Sequence, residues 1–334
     1  MKAVQVPEAG GDLQVVEVNR PKPNKNEVLI KVEACGICHS DNMVKEGSFP
    51  GIEYPRIPGH EVVGVVEEVG DDVTLWKKGQ RVGVGWHGGH CFTCEPCRRG
   101  KFIDCENGKI CGISYDGGYA EYMTAPHEAV VSIPDELSSA EAAPLLCAGI
   151  TVFNGMRNSG VKPGSVVAIQ GIGGLGHLAI QYANKMGMRT VAISTSASKK
   201  DLATKLGAHH FIQTDEQDAV EELQKLGGAD LIVATAPYSD AITSVINGMG
   251  NDGQVLMIAA TPDAVEVSPM QLLMGRKSLA GWPSGTAPDS EDTLKFSAMT
   301  KTLPMIEEYK LDDAAEAFKK MMDNEARFRV VLIP

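Results

Sequence analysis

Val166-Val167-Ala168-Ile169-Gln170-Gly171-Ile172-Gly173-Gly174-Leu175-Gly176 is the stretch that decides how this chain folds. Four apolar residues form a short buried-strand run, and a glycine-rich turn follows with G-x-G-x-x-G spacing. Leu175, Leu178, Ala179, Tyr182, Ala183 and Met186 then recur at helical spacing until Gly187 stops the pattern. The glycines permit a tight turn and close backbone approach, and the helix N-terminus offers amide donors and a positive dipole end to a pyrophosphate. A glycine-rich turn alone is weak evidence. Between a strand and a helix it predicts a dinucleotide site at Gly171, Gly173, Gly174, Leu175 and Gly176.

Downstream, Thr190-Val191-Ala192-Ile193, Leu231-Ile232-Val233 and Val255-Leu256-Met257-Ile258 continue a strand–helix alternation. This is the pattern of an α/β, Rossmann-type, doubly wound parallel sheet. An NAD-selective site of this kind ends its second strand in a carboxylate that accepts from the ribose 2′-OH. Here the strand runs into Ser194-Thr195-Ser196-Ala197-Ser198-Lys199-Lys200. Nothing there repels a 2′-phosphate, and Ser194, Thr195, Ser196 and Lys199 are expected to bind one. NADP(H) is therefore the expected cofactor, with NAD(H) as the alternative.

Upstream the texture is different. Residues 1–148 are rich in short β patterns and Gly/Pro turns. Val28, Ile30 and Val32 alternate with Leu29, Lys31 and Glu33, and Val62 to Val69 is a second strand-like run closed by Gly70-Asp71-Asp72. The expected division is a mainly-β first domain over 1–148, a cofactor domain over 149–284 and a last segment over 285–334. That last segment holds a helix pattern at Ala314, Ala317, Phe318 and Met321, then a final strand from Arg329 to Ile333.

A length of 334 residues suits two domains. The net charge of −12, with no basic stripe, argues against nucleic acid and anionic membranes as partners. The first residues lack a signal-peptide core, and no apolar run nears the roughly 18 residues of a membrane span. The expected location is the cytoplasm, where clustered cysteines favour metal over disulfides.

Cys91, Cys94, Cys97 and Cys105 form a C-x2-C-x2-C-x7-C knot within a lobe at about 88–110. Four thiolates close a tetrahedral zinc shell, so this set reads as a structural zinc clip. Arg98, Arg99 and Lys101 are offset by Glu95, Asp104 and Glu106, unlike the basic surround of a nucleic-acid zinc ribbon. Cys38, His60 and Cys147 are individually weak signals: a lone histidine is more often structural than a ligand, and Cys147 alone reads as a small core residue. Cys35 and Cys111 belong to neither set and read as packing residues.

Taken in order, these motifs resemble the zinc-containing medium-chain alcohol dehydrogenases. The resemblance rests on Gly59-His60-Glu61-x2-Gly64-x5-Gly70-x2-Val73, on Cys38-His39-Ser40-Asp41, on the four-cysteine lobe, on Cys147-Ala148-Gly149-Ile150-Thr151-Val152 and on the glycine-rich turn. It covers almost the whole chain, and its short spacings resemble the tetrameric microbial branch. It implies a GroES-like catalytic domain built from both chain ends, and a homo-oligomer, tetramer or dimer. It implies two zinc ions per subunit. Cys38, His60 and Cys147 would be the ligands of the catalytic one, with Glu61 as an alternate. Asp41 would orient the His60 ring. His39, Thr151 and Arg329 would contact the cofactor, with Arg327 competing for the last role. Ser40 would take the alcohol proton, and Phe49 and Trp86 would line the substrate pocket.

The implied activity is reversible hydride transfer between a primary aliphatic or aromatic alcohol and NAD(P)+. A polyol or secondary-alcohol dehydrogenase is the alternative within the fold. Polyol relatives often carry glutamate where this chain has Cys147. A zinc-stabilised, non-catalytic dinucleotide sensor is the alternative of another class, and a zinc-free quinone-reductase-like relative a further one. One departure from the family pattern stands beside the site. Many members have a proton-relaying histidine three residues after the Ser/Thr, and here that position is Met43, which cannot relay.

Overall fold

The computed structural model describes all 334 residues, and the chain separates into two compact units. One comprises Met1–Ile150 and Gly285–Pro334, the other Thr151–Ser284.

The Thr151–Ser284 unit holds six parallel strands: Val166–Gln170, Arg189–Ser194, His210–Gln213, Ala229–Ala234, Met249–Met257 and Ser278–Gly281. Counted along the chain, their spatial order is 3-2-1-4-5-6, the Rossmann order, which opens a crevice beyond the carboxyl ends of the first and fourth strands. All five residues of Val166–Gln170 are buried, as expected for a central strand covered on both faces. Ala168, Val191, Ile212, Ile232 and Val255 share one hydrophobic core. The helix after the first strand, Gly176–Lys185, buries Leu178, Ala179, Tyr182 and Ala183.

The other unit is built on the eleven-residue strand Glu27–Ile37. Its first half pairs with Tyr122–Pro126, its last residues pair with Arg329–Ile333, and Val62–Val69 runs along its other edge. Arg81–Val84, Val130–Ser132 and Ile306–Lys310 complete the sheet. The simple alternation expected over Val28–Glu33 fails at one place: Leu29 is buried as well as Val28 and Ile30. The residues carried at this strand's end set up the site. Ile37 pairs with Val330 and Cys35 with Val62, so Cys38, Glu61 and Arg329 sit at or just beyond the ends of three neighbouring strands.

The cysteine lobe is closed by the antiparallel pair His87–Gly89 and Lys109–Ile110, with a short helix Glu95–Arg98 that starts at Cys94 and has Pro96 in its first turn. No helix is long and apolar enough to cross a membrane.

Candidate active site

Cys38 follows the long strand and opens a single turn, His39–Asp41. His60 and Glu61 immediately precede Val62–Val69, and Cys147 lies between the turn Ala143–Leu146 and the helix Ala148–Asn158. The fold brings the ligand atoms of Cys38, His60, Glu61 and Cys147 within 4.8 Å of one another. Two thiolates at about 2.3 Å from a tetrahedral zinc stand roughly 3.8 Å apart. The Sγ atoms of Cys38 and Cys147 are 3.8 Å apart, and His60 Nε2 is 3.3 Å from Cys147 Sγ. The donor set thus fits a zinc-sized ion in both chemistry and spacing.

Asp41, 2% exposed, organises this cluster. Its Oδ1 takes a hydrogen bond from His60 Nδ1 at 2.9 Å, which leaves Nε2 to face the thiols. Burial opposes a charge on His60, but Asp41 beside it raises the imidazole well above its usual range. The Cys147 hydrogen bond lowers the Cys38 thiol well below its usual range against the effect of burial, with His60 adding to the shift. Trp86 meets the His60 ring edge-on, with centroids 5.0 Å apart.

Glu61 is fully buried, and burial pushes its carboxyl up to about 7 against the pull of Arg329. Arg329 Nη2 donates to Glu61 Oε1, while Glu61 Oε2 has no partner. A methyl group at Gly36 would lie 1.9 Å from Glu61 Oε2, so only glycine leaves room for this carboxylate. Arg329, expected at the cofactor phosphates, is therefore placed on Glu61. Sequence reasoning missed Gly36, whose neighbour in space is distant in the chain. It also missed Tyr119, whose phenol donates to Asp41 Oδ2 at 2.9 Å.

The four lobe thiols also lie within 4.8 Å of one another. Cys94 and Cys105 Sγ are 3.8 Å apart and Cys91 and Cys105 Sγ 3.6 Å. Cys91 is brought down to about 5 by hydrogen bonds from the Thr93 and Asn107 side chains, as suits a thiolate ligand.

In the other unit, the Gly176 position would put a methyl 2.0 Å from the Gly171 carbonyl oxygen, whereas one at Gly173 would meet nothing within 4 Å. The turn is thus tight where the helix meets the strand and open where a ligand would approach. Lys199 Nζ donates to the Ile172 carbonyl at 2.8 Å, which ties the end of the second-strand loop to this turn. Ser194 ends its strand, Thr195 follows, and Ser196 Oγ is 2.8 Å from Ser198 Oγ. Thr151 is buried in the first turns of Ala148–Asn158, whereas His39 is exposed and Ser40 and Met43 are half-buried. Phe49 and Trp86 join one apolar cluster around Val6, Val44 and Ile113, and Cys35 and Cys111 are wholly buried.

Two family models match the chain, the alcohol dehydrogenase GroES-like domain over residues 24–135 and the zinc-binding dehydrogenase over residues 174–299. The chain belongs to the zinc-containing medium-chain alcohol dehydrogenase family. As a member of this family of dehydrogenases it is an oxidoreductase. An alcohol dehydrogenase of Penicillium expansum is 48% identical over 97% of this chain and 95% of its own length. Among solved structures, a cinnamyl alcohol dehydrogenase from Sorghum bicolor superposes with a TM-score of 0.91 at 31% identity, covering 99% of this chain and 97% of that one. The CAD from Helicobacter pylori, complexed with NADP(H), gives a TM-score of 0.86 at 27% identity, covering 99% of this chain and 97% of that one.

Proposed function

We propose that this alcohol dehydrogenase is zinc-dependent and NADP(H)-preferring, and interconverts primary aliphatic or aromatic alcohols and their aldehydes. In this reading Thr151–Ser284 binds the cofactor and the rest of the chain carries the chemistry. The observation that carries the reading is the inequality of the two donor sets. The four lobe thiols close a shell, whereas the other set offers two thiols and an imidazole with Glu61, held by Arg329 through Oε1, as an alternate fourth ligand that substrate can replace. A zinc held by these three supplies a Lewis acid, and a bound nicotinamide supplies the hydride acceptor or donor. The remaining work falls to the chain's own side chains. His60 presents Nε2 because Asp41 holds its Nδ1 proton. The Ser40 hydroxyl takes or returns the alcohol proton, and Met43 cannot pass it on. Trp86 against His60, with Phe49 in the same apolar cluster, favours a substrate with little polar surface.

The cofactor reading is supported by the absence of a carboxylate over Ser194–Lys200, by Lys199 resting on the glycine-rich turn, and by the NADP(H) bound to the Helicobacter relative. The eight free cysteines support a cytoplasmic location. Exposed Met270, Leu273 and Met274 beside the edge strand Ser278–Gly281 support a homo-oligomer, tetramer or dimer.

Metal analysis together with a panel of primary, secondary and aromatic alcohols and aldehydes, run with both cofactors, tests the proposal. Two zincs per chain and highest kcat/KM for primary or aromatic substrates with NADP(H) are expected. Lys199→Ala is expected to cost about tenfold in kcat/KM with NADPH, the worth of one charge-assisted hydrogen bond, and little with NADH. A single zinc per chain would sink the catalytic-metal reading, and a strong NADH preference would sink the cofactor reading.

A further inference from the structure

Asp41 takes hydrogen bonds from three separate segments. His60 Nδ1 reaches Oδ1 at 2.9 Å, while the Cys38 backbone N–H at 2.8 Å and the Tyr119 hydroxyl at 2.9 Å converge on Oδ2. The first two come from residues that present donors to the metal centre. The third comes from a tyrosine with no exposed surface, one of the largest fully buried side chains in the protein.

Tyr119 is held rigidly. Its backbone N–H donates to the Pro58 carbonyl at 3.1 Å, and its carbonyl accepts from Val4 N–H at 2.7 Å. Its ring lies flush on Gly59, where a methyl group would come within 2.5 Å of Cδ1. The phenol therefore spans from the segment just before His60 to the carboxylate that orients His60. Burial, with Asp41 next in weight, raises its pKa well above the ordinary range, so the hydroxyl stays a donor. A phenylalanine would fill the same space. The hydroxyl is satisfied only by this carboxylate, and without it Oδ2 would keep a single donor from Cys38.

We propose that Tyr119 is a positioning residue for the metal centre, whose hydroxyl locks the Asp41 carboxylate in the orientation that receives the His60 Nδ1 proton. The proposal rests on the reading of Cys38, His60 and Cys147 as zinc ligands. Tyr119 touches none of these side chains through a hydrogen bond, so its influence on the metal passes through Asp41.

The test compares wild type, Tyr119→Phe, Asp41→Asn and the double variant by the rate at which each of the two zincs is released to a chelator. Cobalt substituted at the Cys38–His60–Cys147 site reports its ligand field through its visible spectrum. Tyr119→Phe is expected to speed release from that site about tenfold, the low end for loss of a partner behind a ligand, and to shift the cobalt bands. Release from the four-cysteine lobe should not change, and the Tyr119→Phe effect should vanish in the Asp41→Asn background. Unchanged release and spectrum in Tyr119→Phe would overturn the proposal. So would equal acceleration at both sites, or an undiminished effect without Asp41, since either would mark Tyr119 as packing alone. Absence of a second zinc from the wild type would overturn the underlying ligand reading and this proposal together, before any variant is compared.

Discussion

Cys91, Cys94, Cys97 and Cys105 lie within one turn-rich lobe, with a short helix and a two-stranded closure to shape them. Cys38 and Cys147 are 109 positions apart, and they meet only because a seven-stranded sheet and the segments around it bring them together. Local geometry makes the first cluster readable and says little about chemistry. Tertiary structure makes the second, and it is there that two thiols, a buried carboxylate–arginine pair and an oriented imidazole coincide. The two regions show that a candidate metal-binding set is easiest to recognise where the chain needs least of the fold to build it.

The largest effects should separate the two clusters by kind. Cys147→Ala is expected to lower kcat/KM by about three orders of magnitude, the several kcal/mol of charge stabilisation lost with a Lewis acid. The lobe zinc and the thermal midpoint should hardly change. Cys97→Ser is expected to release the lobe zinc and lower Tm by on the order of 10 °C, with kcat within about tenfold of wild type. Calorimetry and steady-state kinetics on the same two preparations check both. A Cys97→Ser protein with full stability would break the distinction.

A second comparison concerns acid. Burial, helped by the neighbouring charge of His90, brings His87 at the base of the lobe down to about 4. The folded ring stays neutral while the unfolded chain binds a proton from about pH 6.5. Stability from this group is therefore complete above pH 6.5 and falls as the pH drops towards 4, by up to about 3 kcal/mol. His87→Phe is expected to flatten that part of the Tm–pH curve in zinc-saturated protein. An unchanged slope would assign the acid sensitivity elsewhere.

The smallest effect belongs to the scattered cluster. Met43→His places an imidazole where the family pattern led one to be expected, and it should speed alcohol oxidation by a few-fold wherever proton release limits turnover. Solvent-isotope effects on both proteins check this, and equal rates would show that the relay does not matter in this chain.

Much of the fold was legible because it is written in local periodicity. Val62–Val69 and Arg329–Ile333 occur as strands over the residues their patterns suggested, and the glycine-rich turn sits between strand and helix. Leu29 misled because the sheet face opposite the core that holds Val28, Ile30 and Val32 is covered as well at this position. In the site, the four lobe cysteines could be named from their spacing, and Cys38, His60 and Cys147 only from the family resemblance. The contacts of Arg329, Gly36 and Tyr119 could not, since each depends on which strand ends lie side by side. No pattern within a dozen residues of Gly36 announces a carboxylate 25 positions later.

The pairing of Arg329 with Glu61 spans 268 positions, and the Thr151–Ser284 unit lies within that interval. During synthesis the inserted unit is contiguous and is made before residue 329, and domains generally fold as units in order of emergence. Glu61 must wait for its counter-charge until nearly the whole chain has left the ribosome. A nascent or truncated chain can thus own a finished Thr151–Ser284 unit while Glu61 still lacks its arginine.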